Sequence, residues 1–225
     1  IKHVYHKYCK YISIRKYYIN YLIKDRQYEK ALKILKKYKA EDNYNASWYE
    51  YRMFDIYELQ DDQEMLKKTK GELLFNKLIK KKFADVSAYR ELRSYYTAEE
   101  WNEKRQLLIA ALPEYARKDY YYFDDEDYEG LMHYLTELKD LKILEEYEEF
   151  LEHDYSSQIL ELYASVLDEQ VKHYQNRTYY KFFASTLCKM KHFEGGQEFV
   201  ESFVSNWKKK YKNRYALMEE LERVS

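Results

Sequence analysis

The sequence predicts an all-α protein, built as an αα-superhelix of stacked helical hairpins with degenerate repeats. The 225 residues include one Pro and four Gly, which is too few for the many turns of a β-sandwich or a barrel. Apolar residues recur at helical spacing along most of the chain. A short corner between two helices also returns several times, at a loose period in the range of stacked helical hairpins.

The corners define the repeat. The residues that anchor the helix after each corner are Tyr28, Gln63, Trp101, Leu141 and Phe193. One hairpin of two helices cannot bury its own apolar stripe, and it covers that stripe by stacking on the next hairpin. The repeat therefore predicts a core that grows lengthwise along the stack.

Polar residues at the corners are suited to cap the helices that follow. Side-chain oxygens that can accept from the free amide groups of a first helical turn stand at Asp25, Asp61, Thr97 and Asp140. Glu100 follows Thr97 by three residues, which is the spacing of a capping box. We therefore expect these four residues to start helices.

The elements follow in order from these signals. The first helix is expected to carry two adjacent apolar faces, one with Tyr5, Cys9, Ile12 and Ile19 and one with Tyr8, Tyr11, Tyr18 and Leu22. An acidic and aromatic connector, 119–127, comes after Pro113, where a helix must stop. The predicted helices are 3–24, 27–39, 46–60, 62–80, 85–96, 98–112, 126–138, 140–153, one from a cap at Ser156 or Ser157 to about 173, 177–191, 194–210 and a closing helix 213–223.

Length and composition predict one helical-repeat domain over 1–225, with a subdivision near 113–125. Cys9 and Cys188 lie too far apart in sequence to suggest a disulfide framework, which favours a reducing, cytoplasmic location. No apolar run is long enough to span a membrane. The chain starts at Ile1 inside a helical pattern, so we expect it to be a fragment of a longer protein.

The 29 tyrosines have two interpretations. Tyrosine offers a large contact area with a polar tip, and it is common at binding hot spots. Alternatively, a coding bias toward Tyr, Lys, Ile and Asn places it where Phe or Leu would otherwise fill helix cores. The spacing of most tyrosines favours the second interpretation.

Charge is segregated although the net charge is −1. Residues 1–39 hold twelve Lys and Arg against two acids, and residues 119–154 hold fourteen Asp and Glu against two Lys. Such blocks steer partners, but charge runs are more often solvated faces.

Two segments resemble metal sites and fail on spacing. His3 and His6 share a helix face, whereas Cys9 lies roughly 240° around the helix from His3. Residues 125–130 match the opening of a calcium loop, but Thr136 stands where a bidentate Glu is needed. Acids at a helix start explain this segment better.

No set of residues predicts catalysis. The sequence shows no nucleophile with a base, no phosphate loop and no paired acids in a cleft. Gly195 and Gly196 stand alone in a corner, where a close helix approach is the expected use. We therefore predict no catalytic, cofactor-binding or metal-binding residues and no cofactor.

Nucleic acid is an alternative partner. Basic and aromatic residues, suited to phosphates and to base stacking, mix in the first hairpin: Lys7, Lys10, Arg15, Lys16, Lys33, Lys36 and Lys37 with Tyr8, Tyr11 and Tyr17. A second basic cluster is Lys208, Lys209, Lys210, Lys212 and Arg214. The near-neutral total is unlike a dedicated nucleic-acid binder.

Two segments carry a family resemblance. Residues 96–108, with Glu100-Trp101, Arg105 and Leu107-Leu108, resemble a segment in the helical C-terminal regions of bacterial SWIM zinc-finger proteins. Residues 211–221 are similar to the terminal helix of those regions. The resemblance implies divergent tetratricopeptide-type repeats and DNA or protein binding by the parent protein. The zinc ligands of that family have no match here, so its finger is expected upstream of Ile1.

The sequence thus predicts a non-catalytic, tetratricopeptide-like scaffold that binds a protein or peptide along its concave face. The alternative is an accessory nucleic-acid module that uses residues 1–39. No membrane partner is expected, and the oligomeric state is left open.

Overall fold

A computed structural model of the chain describes residues 2–81 and 84–224, without the side chain of His6. All regular secondary structure within these residues is helical, which confirms the all-α class. None of the helices described is both long and apolar enough to cross a membrane. The helices are α1 Lys2–Tyr8, α2 Ile12–Lys24, α3 Tyr28–Glu41, α4 Ala46–Leu59, α5 Gln63–Lys80, α6 Val86–Arg93, α7 Ala98–Ala111, α8 Asp119–Asp124, α9 Tyr128–Leu138, α10 Leu141–Glu145, α11 Glu148–His173, α12 Arg177–Met190, α13 Gly196–Lys210 and α14 Tyr215–Glu222, with a 3-10 turn at Asn43–Asn45.

The chain forms two compact units, residues 1–118 and residues 119–225. The division falls within 113–125, the segment in which the sequence suggests a subdivision. Each unit contains its own cluster of buried apolar side chains, so each is described by itself.

In unit 1 the core lies between α2, α3 and α4. Its fully buried members include Ile19, Leu35 and Tyr49, each with no exposed surface. Further along the unit, Tyr89 of α6 meets Trp101 of α7 edge to face, with ring centroids 5.1 Å apart. Trp101 is therefore a packing residue that holds α6 and α7 together.

In unit 2 the core is built around Trp207 of α13. Its ring lies 5.9 Å from the ring of Phe183, 4.9 Å from that of Phe203 and 5.9 Å from that of Tyr211. The indole nitrogen donates to the carboxylate of Asp168 over 3.1 Å. One side chain thus links α11, α12 and α13, because its large apolar surface is buried while its single donor is satisfied.

Three corners in the described chain close by the same backbone pattern. They join α2 to α3, α4 to α5 and α8 to α9, and their left-handed residues are Arg26, Asp61 and Glu126, with φ of 54°, 55° and 56°. In each corner the next amide donates to the carbonyl five residues back, over 2.8 to 3.0 Å. This is the Schellman closure of a helix end. The corners 22–28 and 57–63 are therefore structural copies, and a third copy at 122–128 lies where the sequence suggested only a connector.

The predicted caps at Thr97 and Asp140 are confirmed. Thr97 accepts from the amide of Glu100 over 3.3 Å, and the Glu100 carboxylate accepts from the amide of Thr97 over 3.0 Å. Asp140 accepts from the amides of Lys142 and Ile143. The capping box anticipated from the sequence is therefore formed in full.

The predicted caps at Asp25 and Asp61 are wrong. Asp25 closes the end of α2 and accepts from the side chain of Gln27, which precedes α3 without a capping bond. Asp61 occupies a left-handed position, and its neighbour Asp62 caps α5 by accepting from the amide of Met65 over 3.1 Å. The Schellman closure uses two residues beyond the preceding helix, so the cap falls later than the corner pattern suggested.

The predicted helix 3–24 is interrupted at Cys9–Tyr11. The break lets α1 fold back, so that the Tyr5 ring stacks on the Tyr18 ring with centroids 4.3 Å apart. Tyr8 and Tyr11 are exposed as a result. The prediction that they share an apolar face with Tyr18 is therefore wrong, because the stacking of α1 on α2 overrides the continuous helical pattern.

The predicted helix 140–153 and the cap at Ser156 or Ser157 are also wrong. Helix α10 stops at Glu145, and α11 starts at Glu148 and runs to His173. Tyr155 is its one non-helical residue among those described, with φ −125° and ψ 17°. The hydroxyl of Ser156 donates back to the carbonyl of Glu152. Ser156 therefore does not cap a new helix, and its hydrogen bond lies at a bend inside one long helix.

Candidate functional site

The residues that resemble a zinc set do not converge in what the structure describes. His3 is exposed on α1, and Cys9, a free and half-buried thiol, lies in the turn after that helix. The side chain of His6 is outside the described residues. Among the residues described, no three His, Cys, Asp or Glu side chains are grouped in a way that could hold a metal ion.

The acidic segment 125–130 is the start of a helix. Asp127 caps α9 by accepting from the amide of Gly130 over 2.9 Å. A Cβ atom at Gly130 would lie 2.8 Å from the ring of Tyr122. The glycine therefore permits close packing of α8 on α9, and the capping carboxylate serves the helix end.

Gly195 and Gly196 form the turn between α12 and α13. Gly195 has a left-handed backbone, with φ 72°. A Cβ atom at Gly196 would lie 2.0 Å from the carbonyl oxygen of Met190. The close approach expected from the sequence is present, and it is made by backbone against backbone.

Part of the acidic block 119–154 is internal to unit 2. Asp119 is fully buried and accepts from the hydroxyl of Tyr147 over 2.7 Å. Lys189 of α12 pairs with Glu148 at 2.7 Å and with Glu145 at 3.1 Å. These acids tie α8, α10 and α11 into the unit, so they are not available as a docking surface.

The first hairpin exposes tyrosines beside lysines. Tyr11 is 53% exposed and Tyr17 is 64% exposed. The ammonium group of Lys7 lies 5.3 Å from the ring centroid of Tyr8, and that of Lys10 lies 5.1 Å from the centroid of Tyr11. Exposed rings with neighbouring cations are suited to stack bases and to contact phosphates. We call Tyr8, Tyr11 and Tyr17 with Lys7 and Lys10 the aromatic surface.

Arg15, which the sequence grouped with these lysines, has a structural role instead. Its guanidinium pairs with Asp42 at 2.9 Å, and the hydroxyl of Tyr49 donates to the same carboxylate over 3.2 Å. Hydrogen bonds, first of all from Asn45, hold the pKa of Asp42 below its usual value. Burial, opposed in part by the charge of Arg15, raises the pKa of Tyr49 to about 12.

A pocket of about 620 Å³ opens on unit 2 beside α13. Its floor is made of Val200, Val204 and Val224, each no more than 5% exposed. Its walls include four lysines together with Glu201 and Ser205; the lysines are Lys191, Lys208, Lys209 and Lys212. We call this the lysine-rimmed pocket. Its volume lies within the usual range for ligand pockets, roughly 300 to 1,000 Å³.

The lysines of the lysine-rimmed pocket differ in whether another group of the chain contacts their ammonium group. Lys191 donates to the carbonyl of Val224. Lys209 and Lys212 form no ion pair with any residue that the structure describes. The adjacent Lys210, by contrast, is turned away and contacts the Asp168 carboxylate at 3.2 Å. The ammonium groups of Lys209 and Lys212 therefore have no carboxylate partner in the described part of this chain.

Sequence reasoning found only part of this pocket. The basic cluster 208–214 was named, and the structure divides it, since the Arg214 guanidinium donates to the carbonyl of Val171 over 2.6 Å. The spacing of Val200 and Val204 by one helical turn places both on one face of α13, and it is the sequence signal that indicates the floor of the pocket. Lys191 and Val224 come from other elements, and no local pattern connects them to α13.

Comparison with protein-family models, with curated proteins and with solved structures gives no match to this chain.

Proposed function

We propose that this chain is a non-catalytic helical-repeat scaffold, of tetratricopeptide-like superhelical architecture, that binds a protein or peptide on a concave face. In this proposal no residue is catalytic and no cofactor is used. A cytoplasmic location belongs to the proposal as well, since the thiols of Cys9 and Cys188 are both free.

The copied corners support the architecture. The Schellman closures at Arg26, Asp61 and Glu126 end three helices in the same way, two in unit 1 and one in unit 2. Repeated corners of this kind are expected of stacked helical hairpins, which generate extended binding surfaces.

The single observation that carries the binding function is the lysine-rimmed pocket. It combines an apolar floor with polar groups at the edge, which is the composition of pockets that take up anchor side chains of a partner. Its lysines Lys209 and Lys212 are unpaired with any described residue, so their charges remain available to a partner. A packing void would offer neither an opening nor such groups.

A displayed peptide library tests the proposal. Selection against the immobilised chain is expected to enrich sequences with a shared pattern, and calorimetry with the selected peptides is expected to show one-to-one binding. The substitution Ser205→Trp, which fills the lysine-rimmed pocket from its wall, serves as the comparison variant. If repeated rounds enrich no sequence above an unrelated helical protein, the scaffold function is refuted.

A second candidate is an accessory nucleic-acid module, and the aromatic surface of the first hairpin favours it. Exposed Tyr11 and Tyr17 beside Lys7 and Lys10 provide stacking platforms with adjacent cations. Binding of a fluorescent single-stranded oligonucleotide should weaken steeply with salt if phosphates are contacted. Tyr11→Phe should retain that binding and Tyr11→Ala should reduce it. No binding at low salt eliminates this candidate.

Kinship with the helical regions of bacterial SWIM zinc-finger proteins is part of this second candidate. In the structure, Trp101 of the first resembling segment is buried, and Tyr211 of the second packs on Trp207. The resembling residues are thus packing residues, and their pattern supports a shared architecture. The kinship predicts a cysteine and histidine finger in any longer reading frame that contains this chain, and sequencing that frame tests it.

A further inference from the structure

We infer that the lysine-rimmed pocket binds an acidic protein segment, with an aliphatic side chain of that segment on the valine floor and its carboxylates against the lysines. The inference rests on the proposed function and names the class of partner.

The floor selects the anchor. Val200 and Val204 stand one turn apart on α13, and Val224 closes the recess from the turn that follows α14. Only methyl groups are offered there, and the stems of the lysines extend the apolar wall. A branched aliphatic side chain matches such a surface by shape and gains about 25 cal/mol for each Å² removed from water.

The rim selects the charge. Lys208 and Lys209 lie in the last turn of α13, and Lys191 follows the last residue of α12. The partial negative charge at these two helix ends offsets some of the lysine charge. No carboxylate of a described residue pairs with Lys209 or Lys212, so the charges of these two lysines attract carboxylates of a partner.

Glu201, the single acid among the described residues of the pocket, sets an orientation. Glu201 lies about two turns before Lys208 on α13. Carboxylates of the bound segment are therefore expected toward Lys209 and Lys212. A neutral or hydrogen-bond-donating residue is expected beside Glu201.

The same composition disfavours nucleic acid and a lipid surface. The residues described as lining the pocket include no aromatic side chain, so bases have nothing to stack on. A bilayer is engaged by a protruding apolar face, whereas the valines here lie at the bottom of a recess. A narrow protein segment can enter it.

The test uses fluorescein-labelled peptides and the whole chain. The probe is a short helical peptide with two leucines one turn apart and glutamate at most other positions. Two matched peptides replace the leucines by serine or the glutamates by glutamine. Binding is followed by fluorescence anisotropy at low and at physiological salt. Both replacements are expected to weaken binding by at least about tenfold.

Two charge-reversal variants localise the binding. The variant Lys209→Glu with Lys212→Glu is expected to weaken the acidic peptide by at least about tenfold. The control variant Lys142→Glu with Lys181→Glu makes the same change of net charge at exposed residues outside the pocket, and a change below about threefold is expected. Ser205→Trp should abolish binding without altering charge. Far-UV circular dichroism shows whether each variant keeps its helices.

The results separate this inference from the proposed function. If the acidic peptide does not bind, or if both charge variants weaken it equally, the inference is overturned. Should the peptide library then yield neutral or basic ligands, the scaffold function stands without it. The inference is also overturned if phosphatidylserine vesicles, and not the peptide, bind in a manner that Lys209→Glu with Lys212→Glu abolishes.

Discussion

Replacing the two adjacent glycines between α12 and α13 by alanine should have very different effects on stability. At Gly196 the added Cβ would lie 2.0 Å from the carbonyl oxygen of Met190, whereas real Cβ atoms essentially never come closer than 3.0 Å to another heavy atom. The oxygen belongs to the last turn of α12, so it cannot rotate away. The backbone must move by about 1 Å, which is a case of overpacking with little room to relax.

The two alanine substitutions should differ in how much they lower the free energy of unfolding. We expect Gly196→Ala to lower the free energy of unfolding of unit 2 by about 3 kcal/mol, the upper end of the usual range for overpacking. Gly195 has φ 72° and open space around it. Gly195→Ala therefore incurs only the left-handed penalty of about 1 to 2 kcal/mol, reduced by about 0.4 to 1 kcal/mol because alanine restricts the unfolded chain. The difference between the two variants should exceed about 1 kcal/mol.

Urea unfolding followed by far-UV circular dichroism measures this difference, with the slope m compared between variants to verify that the unfolded state is unchanged. In thermal unfolding, Gly196→Ala should lower the midpoint of unit 2 by roughly 10 °C or more. Gly195→Asn is the matched control, since asparagine tolerates a left-handed backbone. Equal losses for Gly195→Ala and Gly196→Ala would show that the close approach to Met190 is absent.

Three further predictions concern unit 1. Thr97→Ala should lower the free energy of unfolding by about 1 kcal/mol because the capping box is lost, and Asp25→Ala, which removes no helix cap, by less than about 0.5 kcal/mol; urea titration compares them. The pKa of Tyr49 is raised to about 12 in the folded protein. Its neutral hydroxyl therefore contributes fully to the free energy of unfolding below pH 10, and that contribution is lost as pH rises through about 12. Tyr49→Phe should therefore flatten the alkaline loss of stability between those values, and an unchanged slope would contradict this. The lowered pKa of Asp42 acts at the opposite end, since its contribution is present above the usual carboxyl pKa and is lost as pH falls. Asp42→Asn should flatten the acid limb of stability against pH, and parallel limbs would count against the proposed hydrogen bonds.

Local signals in the sequence identified the helices well and their junctions less well. Thr97 with Glu100 is a capping signature complete within four residues, and it is formed as expected. The corner at 122–128 was predicted only as part of an acidic and aromatic connector, although its backbone matches that of 22–28. The corner depends on a left-handed backbone at Glu126. This position is not glycine or asparagine, the residue types that usually indicate a left-handed backbone in a sequence.

Contacts between distant residues explain the other differences. Nothing around Cys9 marks a helix break, and the break allows Tyr5 to stack on the distant ring of Tyr18. The lysine-rimmed pocket is similar. Its lysines near 208–212 were visible as a basic cluster, but the floor and Lys191 are brought together by the packing of α12, α13 and α14, which a single sequence does not display.

The copied corners leave the chain free to vary its surface. Backbone amides and carbonyls close each turn, so the closure itself does not depend on which side chain stands at the left-handed position. In this chain that position holds a cation at Arg26 and anions at Asp61 and Glu126. The same corner backbone is thus compatible with either sign of charge. It occurs both in the basic first hairpin and in the acidic stretch around α8.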